Sequence, residues 1–597
     1  MLQRRRLATT AIIAGMSLTV AACGGSSDKG GTTGGGDAGK VKAKKGGTLK
    51  MLGGGDIDHM DTASSYYTVG YTLLRAISRQ LVSYPNDKNV EKSNTITADM
   101  VEKVPEPTNG GKTYTFKIRE GVKWDTPTGA RQVTAADEVR GIKRLCNPVQ
   151  PTGAPGYFTD TIVGMKDFCD NFAKVAPTAA AIGKYVEDTP LEGVKAVDDR
   201  TVEFTLLAPA GDFLNILALP FGSPAPVEIN KYVPDDPAFR QHFISDGPYK
   251  IASYAADKSI QLIRNPAWDG KTDPIRAANV DKISITEGSD EGPVQQQLQA
   301  GTADMSWDTT VPTADIPSLK AANDPKLLLF ENGSTNPYLV MNQQSPNAGG
   351  ALAKVKVRQA INYAVNKKAV IQVLGGPTLN NCLGQILTPP ILGYKKIDPY
   401  ATPDCAGDPA KAKALLVEAG YPNGLDLTYL YRNKGKAPAI ASTMQAELKK
   451  SNIRLKLKIV PNADFYTQHL SHIPAWKSGD WDLAAPGWNP DWAGNAARSF
   501  FVPLLDGRHC TEGTTNYACY NNDDVNKKVD EALAATDPKV IADKWAEIDA
   551  KVMEDAPWVP ITTGKTPIYH GERVKNFFYL PFSNNGDITN VFLDPTS

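Results

Sequence analysis

The sequence predicts an α/β protein, and three observations carry that prediction. Short segments alternate apolar and polar residues, as half-buried strands do. Others place apolar residues at helical spacing behind recognisable N-caps. The two kinds interleave along most of the chain. Hydrophobic residues at 41% and charged residues at 22% are ordinary for a globular chain.

In chain order, Thr48–Leu52 reads as a strand running into a turn at Gly53-Gly54-Gly55. No Lys or Ser/Thr follows to make that turn a phosphate cradle. Tyr114–Ile118 and Thr201–Leu206 alternate cleanly as half-buried strands. Thr134 with Asp137 forms a capping-box start, and Val139, Ile142 and Leu145 follow at helical spacing. Val357, Ile361, Ala364 and Val365 mark one apolar helix face. Asp408-Pro409 sets a cap and a first-turn proline before Ala412, Leu415, Leu416 and Ala419, with Gly420 as the stop. Asp537-Pro538 opens a further helix that buries Ile541, Trp545, Ile548 and Val552. The long helices concentrate in the second half.

The N-terminus addresses the protein out of the cell. Arg4, Arg5 and Arg6 precede an apolar run from Leu7 to Ala22, the pattern of an export signal over residues 1–22. The ending Val20-Ala21-Ala22-Cys23-Gly24 has the small-small-Cys form of a bacterial lipobox, which makes Cys23 the lipidation site; an ordinary signal with a chance cysteine is the alternative. Residues 23–45 hold almost no large side chain and read as a flexible tether, with a reach of roughly 25–30 Å. The expected location is the extracytoplasmic face of the bacterial cell membrane, held by the lipid anchor. The whole chain has a formal net charge of zero, while signal and tether are basic. The body is therefore acidic, a poor match for nucleic acid. No later run is apolar enough to span a bilayer.

Seven cysteines less Cys23 leave Cys146, Cys169, Cys382, Cys405, Cys510 and Cys519. They lie as three local pairs, which in an exported chain suggests disulfides 146–169, 382–405 and 510–519, on proximity alone. A zinc site is the rival, but no pair has metal-finger spacing. His469 and His472 could share a helix face, with no third ligand in view, so no metal and no cofactor are expected. HExxH, G-x-S-x-G and Walker motifs are absent from the sequence, so the chain reads as a non-enzyme. The roughly 550 residues beyond the tether suggest two to four units, packed or interleaved.

Seven segments in order then carry a resemblance. They are Gly46-Gly-Thr-Leu49, Tyr114–Trp124, Thr134–Val139, Ser245-Asp-Gly-Pro-Tyr-Lys250, Arg264-Asn-Pro-Ala-Trp268, Val355–Ala364 and Ala414–Pro422. They resemble the signature segments of the family 5 solute-binding proteins of ABC importers, the oligopeptide, dipeptide and nickel group. The resemblance implies a two-lobed periplasmic-binding-protein-like fold, the large class II variant, with a ligand cleft between the lobes. Projected here, lobe I is 46–78 plus 193–286 and the C-terminal return 557–597; the extra subdomain is 79–192, and lobe II is 287–556.

It also implies a monomeric binding lipoprotein that delivers short peptides to an ABC permease and its ATPase. In peptide-binding members a Gly-Trp-x-x-Asp run sets its Asp against the ligand ammonium. Gly487, Trp488 and Asp491 match that run, so Asp491 is the candidate anchor, with Trp488, Asn489 and Trp492 beside it. Tyr66, Tyr67 and Asn342 are softer cleft candidates, and Arg358 suits a structural ion pair equally well. The same fold binding a nickel chelate, an oligosaccharide or an opine-like compound is the alternative. A secreted hydrolase or a structural surface lipoprotein stands further off.

Overall fold

A computed structural model describes residues 43–66, 68–153, 156–462 and 464–594. The signal, Cys23, most of the tether and Tyr67 lie outside the described residues. Two five-stranded sheets organise the fold. In the first, the strand order is Met305–Ser306, Thr48–Leu52, Lys282–Thr286, Ser259–Arg264, Tyr249–Ala255. Thr48–Leu52 runs parallel to both of its neighbours, with Leu49 opposite Ile283 and Met51 opposite Ile285 and Met305. These inward residues are fully or almost fully buried and form the core of the first lobe. The second sheet runs Ile453–Val460, Leu425–Arg432, Leu483–Ala484, Tyr338–Met341, Trp558–Pro560. It is covered by the helices Val355–Ala364, Pro409–Glu418 and Ala437–Lys449, around a separate apolar core.

The locally coded elements lie where the sequence places them. The capping box of Thr134 and Asp137 opens the helix Ala135–Arg144. Asp408 caps Pro409–Glu418 by accepting the Lys411 N–H. Asp537 caps Pro538–Asp555 through the Val540 N–H. All three local cysteine pairs are disulfides, 146–169, 382–405 and 510–519.

Three expected borders move later, because strand partners come from distant sequence. The extra subdomain's sheet pairs Thr113–Lys117 with Thr201–Thr205, and that strand with Val194–Ala196, so the subdomain continues past residue 192. Met305–Ser306 completes the first-lobe sheet, so the first lobe continues past 286. Trp558–Pro560 pairs with Tyr338–Val340, so the second lobe continues past 556. Between the lobes the chain crosses twice. Both crossings, Leu327–Thr335 outward and Thr562–Tyr569 back, pair antiparallel to each other. Among the described residues Arg358 forms no ion pair: its guanidinium donates to the carbonyls of Leu352, Ala353 and Asp555, tying a helix to a neighbouring helix end. Among the described residues no helix is long and apolar enough to cross a membrane.

Candidate ligand-binding site

Parallel strands leave their C-terminal ends open to ligands, where loops and unpaired backbone N–H groups collect. Here Leu52 and Ser306 end side by side, giving the Gly53–Gly55 loop and the Trp307-Asp308 pair. The N–H groups of Gly54 and Gly55 donate to the Asp308 carboxylate at 2.7 and 3.0 Å. A Cβ on Gly53 would overlap Asp308 Oδ1, so the close approach requires glycine there. A cavity of about 290 Å³ opens beside this corner. Its walls include Trp307 and Asp308 from the first lobe, Asn332 and Thr566 from the crossing strands, Thr68, and Asn489 from the second lobe. It therefore lies where the lobes meet, with the crossing strands contributing to its wall.

Two residues beyond the lining residue Asn489 stands Asp491, which does not itself line the cavity. The segment that carries it is pinned by reciprocal backbone bonds of 2.9 Å between Thr335 and Trp488. The Trp488 indole donates to the Ser499 carbonyl at 2.9 Å. The Tyr66 hydroxyl donates to Asp491 Oδ1 at 2.8 Å, and the Tyr157 hydroxyl makes a short bond to Oδ2. All three residues keep partial solvent exposure. Close packing nevertheless desolvates the carboxylate and raises its pKa above the ordinary aspartate range, while the two phenol hydrogen bonds pull it back down. Burial and the adjacent carboxylate raise the pKa of both tyrosines, which stay protonated donors. Among the described residues no Lys, Arg or His pairs with Asp491.

The same segment reaches the extra subdomain at Tyr84 and the first lobe at Gly211 and Asp212. The hydroxyl of Tyr84 donates to the Ala493 carbonyl at 3.1 Å, and the Asn495 amide to the Gly211 carbonyl at 3.0 Å. Arg498 approaches Asp212 at 3.4 Å. Tyr66 comes from the first lobe and Tyr157 from the extra subdomain, so Asp491 is gripped by groups across the cleft.

The sequence candidates separate in space. Asp491 and Tyr66 are in direct contact, and Asn489 lines the cavity. Trp488 is partly buried against the core. Trp492 is 1% exposed, with its indole on the Asn495 carbonyl, and packs edge-to-face on Tyr157 at 4.8 Å. It is a brace behind the site and not an open ligand wall. Asn342 is wholly buried and spends its amide on the carbonyls of Trp476 and Trp481, so it stabilises the second lobe and does not face the cavity. His469 and His472 pair separately with Asp480 and Glu512. Sequence reasoning missed Tyr157 and Asp308. Nothing local marks Tyr157. Asp308 carries no local mark either, because only the pairing of distant strands brings it to the glycine loop.

The family described as Bacterial extracellular solute-binding proteins, family 5 Middle, matches residues 95–508. Heme-binding protein A of Haemophilus influenzae is 29% identical over 80% of this chain and 81% of its own length. Di/tripeptide-binding protein 4 of Pseudomonas aeruginosa is 27% identical over 80% of this chain and 83% of its own. Among solved structures, Clavulanic acid biosynthesis oligopeptide binding protein 2 superposes with a TM-score of 0.82 at 27% identity, covering 92% of this chain and 96% of the other.

Proposed function

The chain belongs to the family 5 bacterial extracellular solute-binding proteins, and on that premise we propose that it captures short peptides with a free amino terminus for an ABC importer. The observation that carries the reading is the Asp491 carboxylate. It is desolvated, held by two tyrosine hydroxyls and paired with no cation among the described residues, two positions along the chain from Asn489, which lines the cavity between the lobes. A carboxylate in that state gains far more from an ammonium than an exposed one does. The polar wall, with Asn332, Asn489 and Thr566, offers amides and a hydroxyl to a peptide main chain. Relatives named for di/tripeptides and oligopeptides support the same solute class.

The protein binds and releases without covalent chemistry. The lobes close over the solute, hinging at the paired crossing strands, and the closed form is the one a permease receives. The Val20–Cys23 ending supports attachment to the membrane through a lipid on Cys23. Haem, the ligand named for one relative, suits this cavity poorly: the described residues lining it include no His, Met or Cys, and the hydroxyl of Tyr569, the one lining side chain of a haem-ligating type, is already spent on Asp324 at 2.8 Å. Calorimetry with a dipeptide and its N-acetyl form tests the proposal. Binding of the free amine at least about tenfold tighter, about 1.4 kcal/mol, is expected; equal affinities would refute the ammonium anchor.

A further inference from the structure

Among the described residues lining the cavity, Asp308 is the only charged side chain. Lys326, over the ring of the lining residue Tyr569 at 5.6 Å, is offset by Asp324 at 3.8 Å and Glu572 at 3.4 Å. Beyond Asp308 the field is also acidic. Glu287 is 7% exposed, and both of its carboxyl oxygens are buried without a hydrogen-bond partner among the described residues. Burial, with Asp56, Asp257 and Asp308 nearby, pushes its carboxyl up to about 7. No Lys or Arg bridges any of these four acids among the described residues. A ligand carboxylate brought here would be desolvated beside like charge, which is costly; a ligand cation would find an acidic field offset by backbone N–H groups but by no bridging Lys or Arg among the described residues. No group of His, Cys, Asp and Glu among the described residues is arranged to hold a metal ion, so the fitting cation is organic.

We infer that the site selects net-cationic ligands: peptides whose ammonium meets Asp491 and whose guanidinium or amine side chain lies at Asp308. This deepens the peptide reading above and rests on it. The field at Asp308 discriminates by charge where the amide and hydroxyl wall tolerates most side chains.

Calorimetry on the full chain with Ala-Arg-amide, Ala-Gln-amide and Ala-Glu-amide tests it, the amides removing the C-terminal charge. The arginine peptide is expected to bind at least about tenfold tighter than the glutamine peptide, with the glutamate peptide weakest. Raised salt should narrow the gap, and Asp308→Asn should bring the arginine-to-glutamine ratio close to one. Equal affinities in the wild type, or an unchanged ratio in Asp308→Asn, would overturn the inference and leave the peptide reading standing. The wild-type ratio decides even if Asp308→Asn folds poorly. If no peptide binds, putrescine in a thermal-shift assay separates the two claims. Stabilisation that Asp308→Asn abolishes would keep cation selection and overturn peptide binding; no stabilisation would overturn both.

Discussion

Asp491 presents a conflict between stability and binding that a single substitution resolves. Its raised pKa means that the ligand-free fold prefers the protonated acid. The stability it contributes is present below the ordinary aspartate range and is lost as pH rises through the raised value. Asp491→Asn should therefore melt no lower than the wild type at neutral pH without ligand, while losing affinity for free-amine peptides and largely sparing acetylated ones. A clear destabilisation in a thermal melt would make the residue structural. Binding should also weaken on acidification at a pH above the normal aspartate range, because only the ionised carboxylate attracts an ammonium. Removing one hydroxyl with Tyr157→Phe should move that midpoint upward, since the phenol hydrogen bond holds the pKa down. Glu287 obeys the same sign. Its pKa near 7 means stability is lost between about 4.5 and 7 as pH rises, so Glu287→Gln should gain on the order of 1 kcal/mol at pH 8 and nothing at pH 4.

At the scale of elements, the joint between first lobe and extra subdomain is a buried ionic lattice. Arg276 meets Asp99 at 2.9 Å and Asp273 at 3.3 Å, and Arg79 meets Asp99 at 2.9 Å, all with side chains almost fully buried. Arg276→Ala would leave Asp99 and Asp273 to share Arg79, at 2.9 and 3.6 Å, and should cost about 3 kcal/mol in urea unfolding. The crossing strands carry a different constraint. Gly333 has φ of +72°, and a Cβ there would press on Pro490 and Pro390 at 3.1 and 3.2 Å. Gly333→Ala should therefore cost about 1 kcal/mol of stability and also weaken binding, because Pro490 adjoins Asp491. Elements of this molecule were legible where their code is local. The caps at Thr134, Asp408 and Asp537 and the alternation at Tyr114–Ile118 needed only neighbouring residues. Met305 and Trp558 found partners far along the chain, and no pattern in their own segments reveals which lobe they join.

At the scale of the whole molecule, the candidate site exists only when three regions meet. Tyr66 and Asp491 are 425 residues apart, and Tyr157 and Asp491 are 334 apart. The sequence exposed Asp491 through a motif and Tyr66 through its opening segment, yet it could not show that Tyr157 closes the grip or that Trp492 and Asn342 turn into the core. The architecture couples binding to stability as well. A ligand that bridges lobes should raise the melting temperature by mass action, about 2.7 kcal/mol at a hundredfold excess over Kd. The most direct test of the central claim is native mass spectrometry of the full chain incubated with a mixed library of dipeptides and tripeptides, free and N-acetylated, together with haem. The account expects retained masses of free-amine peptides, and their loss in Asp491→Asn. Retention of haem alone, or indifference to acetylation, would contradict it.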